Sequence, residues 1–190
     1  ILGSFGDKLY ISTYPGAKIY EYNLMSEQLI KMTDYEIRGS FNNLTRIGER
    51  LLSTLYPAAR LIVIDPYKRE IEHEPESPES EFYIPSNFSK HIVPDGYDAY
   101  LGFIPSDYIY QYRTMSKDWD LKSKQYGNPF GVIDIRFFYC LDNNNEFYII
   151  DKNKGRPSLK RRLYFLDGGE EINTLVKGPD GKLYGTCRNN

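Results

Sequence analysis

The chain has 190 residues, a net charge of −2 and an unusual content of aromatic residues, with 18 Tyr, 10 Phe and 1 Trp. It lacks the positive excess of general nucleic-acid binders, and no apolar run reaches the roughly 18 residues of a membrane-spanning helix. The two cysteines, Cys140 and Cys187, are too few for a disulfide framework, and there is no Cys-x-x-Cys motif. We therefore expect a soluble protein with neither a nucleic-acid partner nor a membrane span. The compartment stays open, with the cytoplasm favoured.

Five related segments follow one another along the chain and begin near residues 6, 48, 96, 134 and 180. Residues 6–23 align without a gap with residues 48–65, where Gly, Leu, Tyr-Pro, Ala and a basic residue coincide. Self-similarity at a spacing of roughly 40–50 residues is typical of repeat folds in which each unit packs on its neighbours. The repeat predicts a single domain over residues 1–190.

Each segment has the pattern of a strand, a tight turn and a return strand. In the first copy the strand covers residues 9–13, the turn is Tyr14-Pro15-Gly16 and the return strand covers residues 19–22. The return strand of the second copy, residues 61–64, is apolar at every position, so both of its faces must be covered. A third strand fits after the hairpin, at residues 27–32, and a fourth fits before it, at residues 172–176. Four short antiparallel strands per unit, stacked face to face, predict an all-β fold made of propeller blades.

The run from Pro179 to Thr186, Pro-Asp-Gly-Lys-Leu-Tyr-Gly-Thr, resembles the blade motif of the YVTN, SMP-30 and NHL-like β-propellers. The resemblance implies a β-propeller of four-stranded antiparallel blades. It says little about function, because propellers include scaffolds, lectins, lyases, hydrolases and dehydrogenases.

The sequence supplies four complete hairpins and the first two strands of a fifth, or about four and a half blades. Half a blade would expose an unpaired edge strand, which proteins normally avoid. We therefore expect an incomplete propeller, completed by a further segment or by another chain. The alternative is a four-bladed ring capped by the last hairpin.

Equivalent turn positions after the second strand of each unit are predicted to form one rim. Two tyrosines, an acid and a base there would suit a sugar or a peptide, because tyrosine offers an apolar face with a polar tip. The alternative is that the tyrosines pack against their own prolines. The predicted binding residues are Tyr14, Tyr56, Asp142 and Arg188, with Ile104 at the fifth equivalent position. With no catalytic motif present, this rim predicts a binding or scaffold module that recognises a protein or a glycan.

The alternative function is a propeller enzyme, a hydrolase or lyase acting on a sugar or lactone in the central channel. Its weak catalytic candidate is His91, as a general base near the innermost strand; a loop histidine is the competing interpretation. The other polar candidates near inner strands are Asn42, Asn43 and Asn173. No metal site and no cofactor are predicted. Calcium is left open by Asn- and Asp-rich loops at 142–146 and 151–155, although neither continues as an EF-hand loop.

Overall fold

A computed structural model describes residues 2–13, 16, 18–33, 40–56, 60–75, 78, 87–104, 108–124, 126–142, 144, 146–162 and 171–188. Every helix or strand within these ranges is a β-strand, and all pairings are antiparallel. The 19 strands form five sheets, which we call A to E in chain order. The prediction of an all-β fold is confirmed.

The sheets consist of consecutive strands. Sheet A contains β1 (Leu2–Phe5), β2 (Lys8–Ser12), β3 (Ile19–Asn23) and β4 (Leu29–Thr33). Sheet B contains β5 (Ser40–Phe41), β6 (Thr45–Ile47), β7 (Arg50–Tyr56), β8 (Arg60–Asp65) and β9 (Glu70–His73). Sheet C contains β10 (Asn87–Asp95), β11 (Asp98–Ile104), β12 (Tyr108–Arg113) and β13 (Asp118–Ser123). Sheet D contains β14 (Asn128–Val132), β15 (Phe137–Leu141), β16 (Glu146–Asp151) and β17 (Arg156–Arg162), and sheet E contains β18 (Glu171–Lys177) and β19 (Leu183–Arg188).

Sheets A, C and D have the predicted four strands in simple up-and-down order, and sheet E has the predicted two. Sheet B has the same order, but its first strand is interrupted, so that β5 and β6 both pair with β7. The described part of the chain thus contains four blade-like sheets and half of another.

Strand β8 shows how the sheets stack. Leu61 and Val63 point into a hydrophobic cluster shared with sheet C, whereas Ile62 and Ile64 point into a cluster shared with sheet A. All four side chains are almost completely buried. This confirms that the uninterrupted apolar run is covered on both faces.

A hydrophobic cluster fills each junction between successive sheets. The four clusters join sheets A and B, B and C, C and D, and D and E. Alternate residues of a central strand contribute to different clusters: Tyr139 faces sheet E, while Phe138 and Cys140 face sheet C. Burial on both faces of the sheets is therefore what holds the stack together.

Ion pairs reinforce three of these junctions in the same way. A basic residue in the third turn of the later sheet reaches a carboxylate of the earlier sheet. The pairs are Arg69 with Glu21 at 3.0 Å, Lys117 with Glu72 at 3.1 Å and Lys152 with Asp95 at 2.7 Å. The third turns are thereby fixed against the neighbouring sheet.

Candidate functional site

The predicted binding residues lie at the carboxyl ends of the second strands. Tyr56 ends β7, Ile104 ends β11, Arg188 ends β19 and Asp142 directly follows β15. Tyr14 and the side chains of Tyr56 and Arg188 lie outside the described residues. Their joint role in binding stays a prediction.

Asp142 shapes the turn between β15 and β16. Its Oδ1 accepts the backbone N–H groups of Asn144 at 2.9 Å and Glu146 at 2.8 Å. Its Oδ2 lies 3.4 Å from the hydroxyl of Tyr148, which donates to Oε2 of Glu146 at 2.9 Å. Oδ1 of Asp142 is thus bound to the backbone of the turn, and the residue as a whole is half-buried.

The residues suggested for an enzyme have structural contacts. His91 lies in β10, the first strand of its sheet, and its ring centre is 4.6 Å from that of Phe130 in β14. Asn43, in the interruption between β5 and β6, accepts the backbone N–H of Thr54 at 3.1 Å, and the backbone N–H of Asn42 donates to the carbonyl of Thr54 at 2.8 Å. The two asparagines therefore bridge the interrupted strand. A catalytic role for His91 stays a prediction, and the side chain of Asn173 lies outside the described residues.

The opposite edge of the stack carries a surface that the sequence did not predict. In an antiparallel sheet the first and third turns lie at the same end, and we call the edge formed by these turns the turn rim. It comprises residues 6–7, 24–28, 48–49, 66–69, 96–97, 114–117, 133–136, 152–155 and 178–182. Of the twelve exposed large hydrophobic side chains in the described chain, six lie there: Leu24, Met25, Tyr67, Tyr97, Met115 and Ile135.

A cleft of about 530 Å³ opens on the turn rim between sheets B and C. Its apolar lining comes from Ile47, Val63, Tyr97 and Met115. The first two are buried, but Tyr97 is 57% and Met115 81% exposed. A cleft of this size, with exposed aromatic and thioether groups at its mouth, is typical of a binding site.

The backbone holds Tyr97 in this position. Gly48 lies in the first turn of sheet B with a φ of +54°, and a Cβ atom at this residue would lie 2.3 Å from Cδ1 of the Tyr97 ring. The hydroxyl of Thr114 donates to the carbonyl of Tyr97 and links two neighbouring turns of sheet C. The ring of Tyr97 is thus exposed but lies against Gly48, and its backbone is held by Thr114.

Charged groups in the cleft neutralise one another. Glu72 receives hydrogen bonds from Arg50 and from Lys117, and Arg50 also lies 3.4 Å from Asp65. Burial alone would raise the pKa of Glu72, but the hydrogen bonds from Arg50 and Lys117 outweigh it and hold this pKa below its ordinary value. The charged groups described in the cleft are therefore paired with one another, and a ligand would contact mainly the apolar side chains.

The apolar surface continues along the rim towards sheet A. The ring of Tyr67 meets Phe5 edge to face, with centroids 5.3 Å apart, and the guanidinium of Arg46 lies 4.2 Å from the Phe5 centroid. The hydroxyl of Tyr67 donates to Glu49. Tyr67 remains 66% exposed, so aromatic surface spans the junction of sheets A and B as well.

Solved structures identify the architecture. One chain of the crystal structure of the mitotic checkpoint complex superposes with a TM-score of 0.68 at 8% identity, over 89% of this chain and 51% of that chain. The structure of U3-55K gives 0.59 at 12% identity, over 90% and 53%, respectively. The dihydro-heme d1 dehydrogenase NirN in complex with DHE gives 0.66 at 12% identity, over 85% and 37%.

The fold is that of a β-propeller. At these identities the likeness concerns the fold alone, and the chain spans about half the length of the first two structures. No protein-family model and no curated protein matches the sequence. The closer resemblance to YVTN, SMP-30 and NHL-like blades therefore stays a prediction.

The described residues contain no helix with the length and apolar character of a membrane span. They contain no group of three or more His, Cys, Asp or Glu side chains arranged to hold a metal ion. The predictions on cofactors and calcium stay predictions.

Proposed function

We propose that the protein is a binding or scaffold module that recognises another protein through the turn rim, and that the partner inserts an uncharged apolar side chain into the cleft between sheets B and C. The observation that carries the proposal is the exposure of Tyr97 and Met115 over a cleft whose charges are already paired.

The chemistry of the cleft selects the partner group. A charged group would have to compete with the bonds from Arg50 and Lys117 to Glu72, whereas an apolar group gains by covering the ring and the thioether. Tyr and Met are both enriched at protein interfaces, and Tyr is a frequent hot-spot residue. That one structural neighbour belongs to a checkpoint complex agrees with a role in assembly.

The test uses a random library of 12-residue peptides displayed on phage and selected against the purified protein. We expect the selected peptides to share a Leu, Phe, Trp or Met anchor, and to bind the double variant Tyr97→Ala/Met115→Ala roughly tenfold more weakly or worse. Leu121→Ala is the matched control, because Leu121 is exposed but lies on outer strand β13, away from the rim. Peptides without an apolar anchor, or with equal affinity for the double variant, would refute the proposal, provided that all variants keep their melting temperature.

A second contact surface is proposed at the carboxyl ends of the second strands, for a protein or a glycan. What supports it is position: Tyr56, Arg188 and Asp142 lie at the same end of their respective sheets. We expect Tyr56→Ala to weaken binding of ligands selected from a glycan array while the melting temperature stays the same. A parallel loss of thermal stability would assign Tyr56 to packing instead.

We further propose that the outer face of sheet E packs against another propeller blade. What supports this is Tyr184, which is 51% exposed on β19. The corresponding second-strand residues that face the next sheet are buried to 2% exposure or less: Tyr10, Leu52, Tyr100 and Tyr139. Hydroxyl-radical footprinting tests this proposal, because Tyr184 should be protected in the protein isolated from its source and reactive in residues 1–190 alone. Equal reactivity in both would contradict it.

A further inference from the structure

We propose that the turn rim holds a second, anion-binding pocket, on sheet D, which takes a carboxylate or phosphate group of the same partner protein. The inference rests on the proposed function in assigning both contacts to one partner. The pocket has a volume of about 360 Å³ and lies where the first and third turns of sheet D meet the start of β17. Its basic side chains are Arg136, Lys154 and Arg156, beside the apolar Phe137 and Pro157.

The pocket carries a positive excess. Arg136 donates from Nε and Nη2 to the same oxygen, Oδ2 of Asp151, at 3.1 and 2.9 Å, and the other oxygen of Asp151 accepts the backbone N–H of Asn153 at 3.0 Å. The buried carboxylate of Asp151 is thus fully engaged. Lys154 and Arg156 make no ion pair with another residue in the described part of the chain. Among the side chains that line the pocket, three cations therefore face one carboxylate, which leaves an excess of two positive charges there. The nearby carboxylate of Asp134 accepts the backbone N–H groups of Arg136 and Phe137.

Hydrogen bonds hold the turn that carries Lys154. The backbone N–H groups of Lys154 and Gly155 both donate to the carbonyl of Asp151, at 3.1 and 2.9 Å. At the start of the same turn, the buried ammonium of Lys152 donates to Asp95 of sheet C at 2.7 Å and to the carbonyl of Asp134 at 2.8 Å. Little conformational freedom of the turn backbone is left to lose when a ligand binds.

Strand register puts the remaining groups on one face. Phe137 pairs with Asp151, and Asp151 pairs with Arg156, and residues that pair directly across antiparallel strands share a face. The guanidinium of Arg136 lies 5.0 Å from the centroid of the Phe137 ring, which supports it. The pocket thus presents guanidinium and ammonium groups beside an aromatic ring.

The two pockets of the turn rim favour ligand groups of different charge. In the cleft between sheets B and C, Arg50 and Lys117 are neutralised by Glu72 and Asp65, so an apolar group fits. On sheet D the excess of two charges matches the charge of about −2 on a phosphorylated side chain, or that of two carboxylates. A long polyanion such as nucleic acid is disfavoured, because the whole chain carries a net charge of −2.

The test is a titration of the 15N-labelled protein, followed by NMR, with three nine-residue peptides that differ only at the central residue: phosphoserine, Glu or Gln. We expect the first two to shift the amide signals of residues 136–137 and 152–158, and the Gln peptide to leave them in place. Which anionic peptide binds more tightly distinguishes phosphate from carboxylate. In Lys154→Gln/Arg156→Gln, binding should weaken roughly tenfold, while Lys18→Gln/Lys31→Gln makes the same change in net charge on exposed residues at and beside sheet A, outside the turn rim, and should leave binding unchanged.

Several results would overturn the inference. These are shifts of equal size with the Gln peptide, no shift with millimolar anionic peptide, an equal loss in the control variant, or tighter binding of a 12-nucleotide oligo-dT at the same residues. The double variant Tyr97→Ala/Met115→Ala separates the two proposals, because it should keep the anionic peptide and lose the apolar one. Loss of anion binding alone refutes the second pocket, and failure of the cleft peptides alone refutes the proposed function.

Discussion

Among the described residues, Glu21 is the most deeply buried carboxylate at a junction, and replacing it tests whether ion pairs hold neighbouring sheets together. Its side chain is 1% exposed. Oε2 accepts hydrogen bonds from the ammonium of Lys8 at 3.1 Å and the hydroxyl of Tyr10 at 3.0 Å, and Oε1 accepts one from Arg69 of sheet B at 3.0 Å. Glu21→Gln keeps the shape of the side chain and removes the charge.

The expected loss follows from these three bonds. A hydrogen bond to a charged group contributes about 1.5–3 kcal/mol, but Lys8 is 25% and Arg69 46% exposed, so both regain water when the charge is removed. We therefore expect Glu21→Gln to lower the free energy of unfolding by about 2 kcal/mol, or the melting temperature by roughly 4–8 °C in a chain of this size. Glu21→Ala should cost more, because it also leaves the buried hydroxyl of Tyr10 without an acceptor.

The loss should depend on pH. Burial alone would raise the pKa of Glu21, but the hydrogen bonds from Arg69, Lys8 and Tyr10 outweigh it and lower this pKa from its ordinary value of 4.5. When the folded pKa is depressed, the unfolded chain binds the proton first as the pH falls. The stabilisation is therefore complete above about pH 4.5 and declines as the pH falls further, so the wild type and Glu21→Gln should converge in acid.

Urea unfolding followed by tryptophan fluorescence at pH 7 and at stepwise lower pH measures this difference. Glu70→Gln is the control, because Glu70 is 55% exposed and lies 3.8 Å from an exposed lysine, a pair expected to contribute less than about 1 kcal/mol. If Glu21→Gln were as stable as Glu70→Gln at pH 7, the carboxylate would not link sheets A and B.

Three more results are expected. Gly48→Ala should lower the free energy of unfolding by about 1–2 kcal/mol because of its positive φ, and it should also displace Tyr97 and weaken peptide binding. Gly16→Ala, with a φ of +92° and open space around it, lies at the opposite end of sheet A and should keep binding; equal binding losses would contradict the contact. Cys140 is buried, which raises the pKa of its thiol, so thiol reagents should label this residue only on unfolding. Peptide mapping that finds Cys140 labelled quickly in the native protein would be inconsistent with the fold. Burial and Lys117 lower the pKa of His73, so the unfolded chain takes up the proton more readily and the protein should lose stability from pH 7 to pH 5. His73→Gln should reduce this change in the urea midpoint. If the midpoint changes equally with pH in the variant and the wild type, other groups cause the loss.

The architecture could be predicted because its signals are local. The uninterrupted apolar run of residues 61–64 requires cover on both faces, and the repeated turn glycines and the Lys-Leu-Tyr runs mark the hairpins. Strand limits fell within a residue or two of the prediction: 9–13 against Lys8–Ser12, and 172–176 against Glu171–Lys177. Patterning of this kind needs no knowledge of which sheet lies beside which.

The site could not be predicted in the same way, because it is built by contacts between sheets. Gly48 supports Tyr97 from a turn 49 positions earlier in the chain, and neither turn alone indicates that they meet. Tyr and Met residues in the turns were the signal available in the sequence. The Tyr-Pro turns instead favoured a binding site at the opposite edge of the stack. Asn43 resembled a channel residue for the same reason, since its bond to Thr54 across an interrupted strand is invisible in the sequence.

Successive residues of a central strand face different neighbouring sheets, so the side that each residue faces depends on whether an even or an odd number of residues precedes it in the strand. Insertion of a single residue into β8 would turn Leu61 and Val63 towards the sheet that Ile62 and Ile64 contact, and would scramble two clusters at once. Insertion of two residues would restore the side assignment for the rest of the strand. Lengthening by pairs is therefore the change that these strands should tolerate.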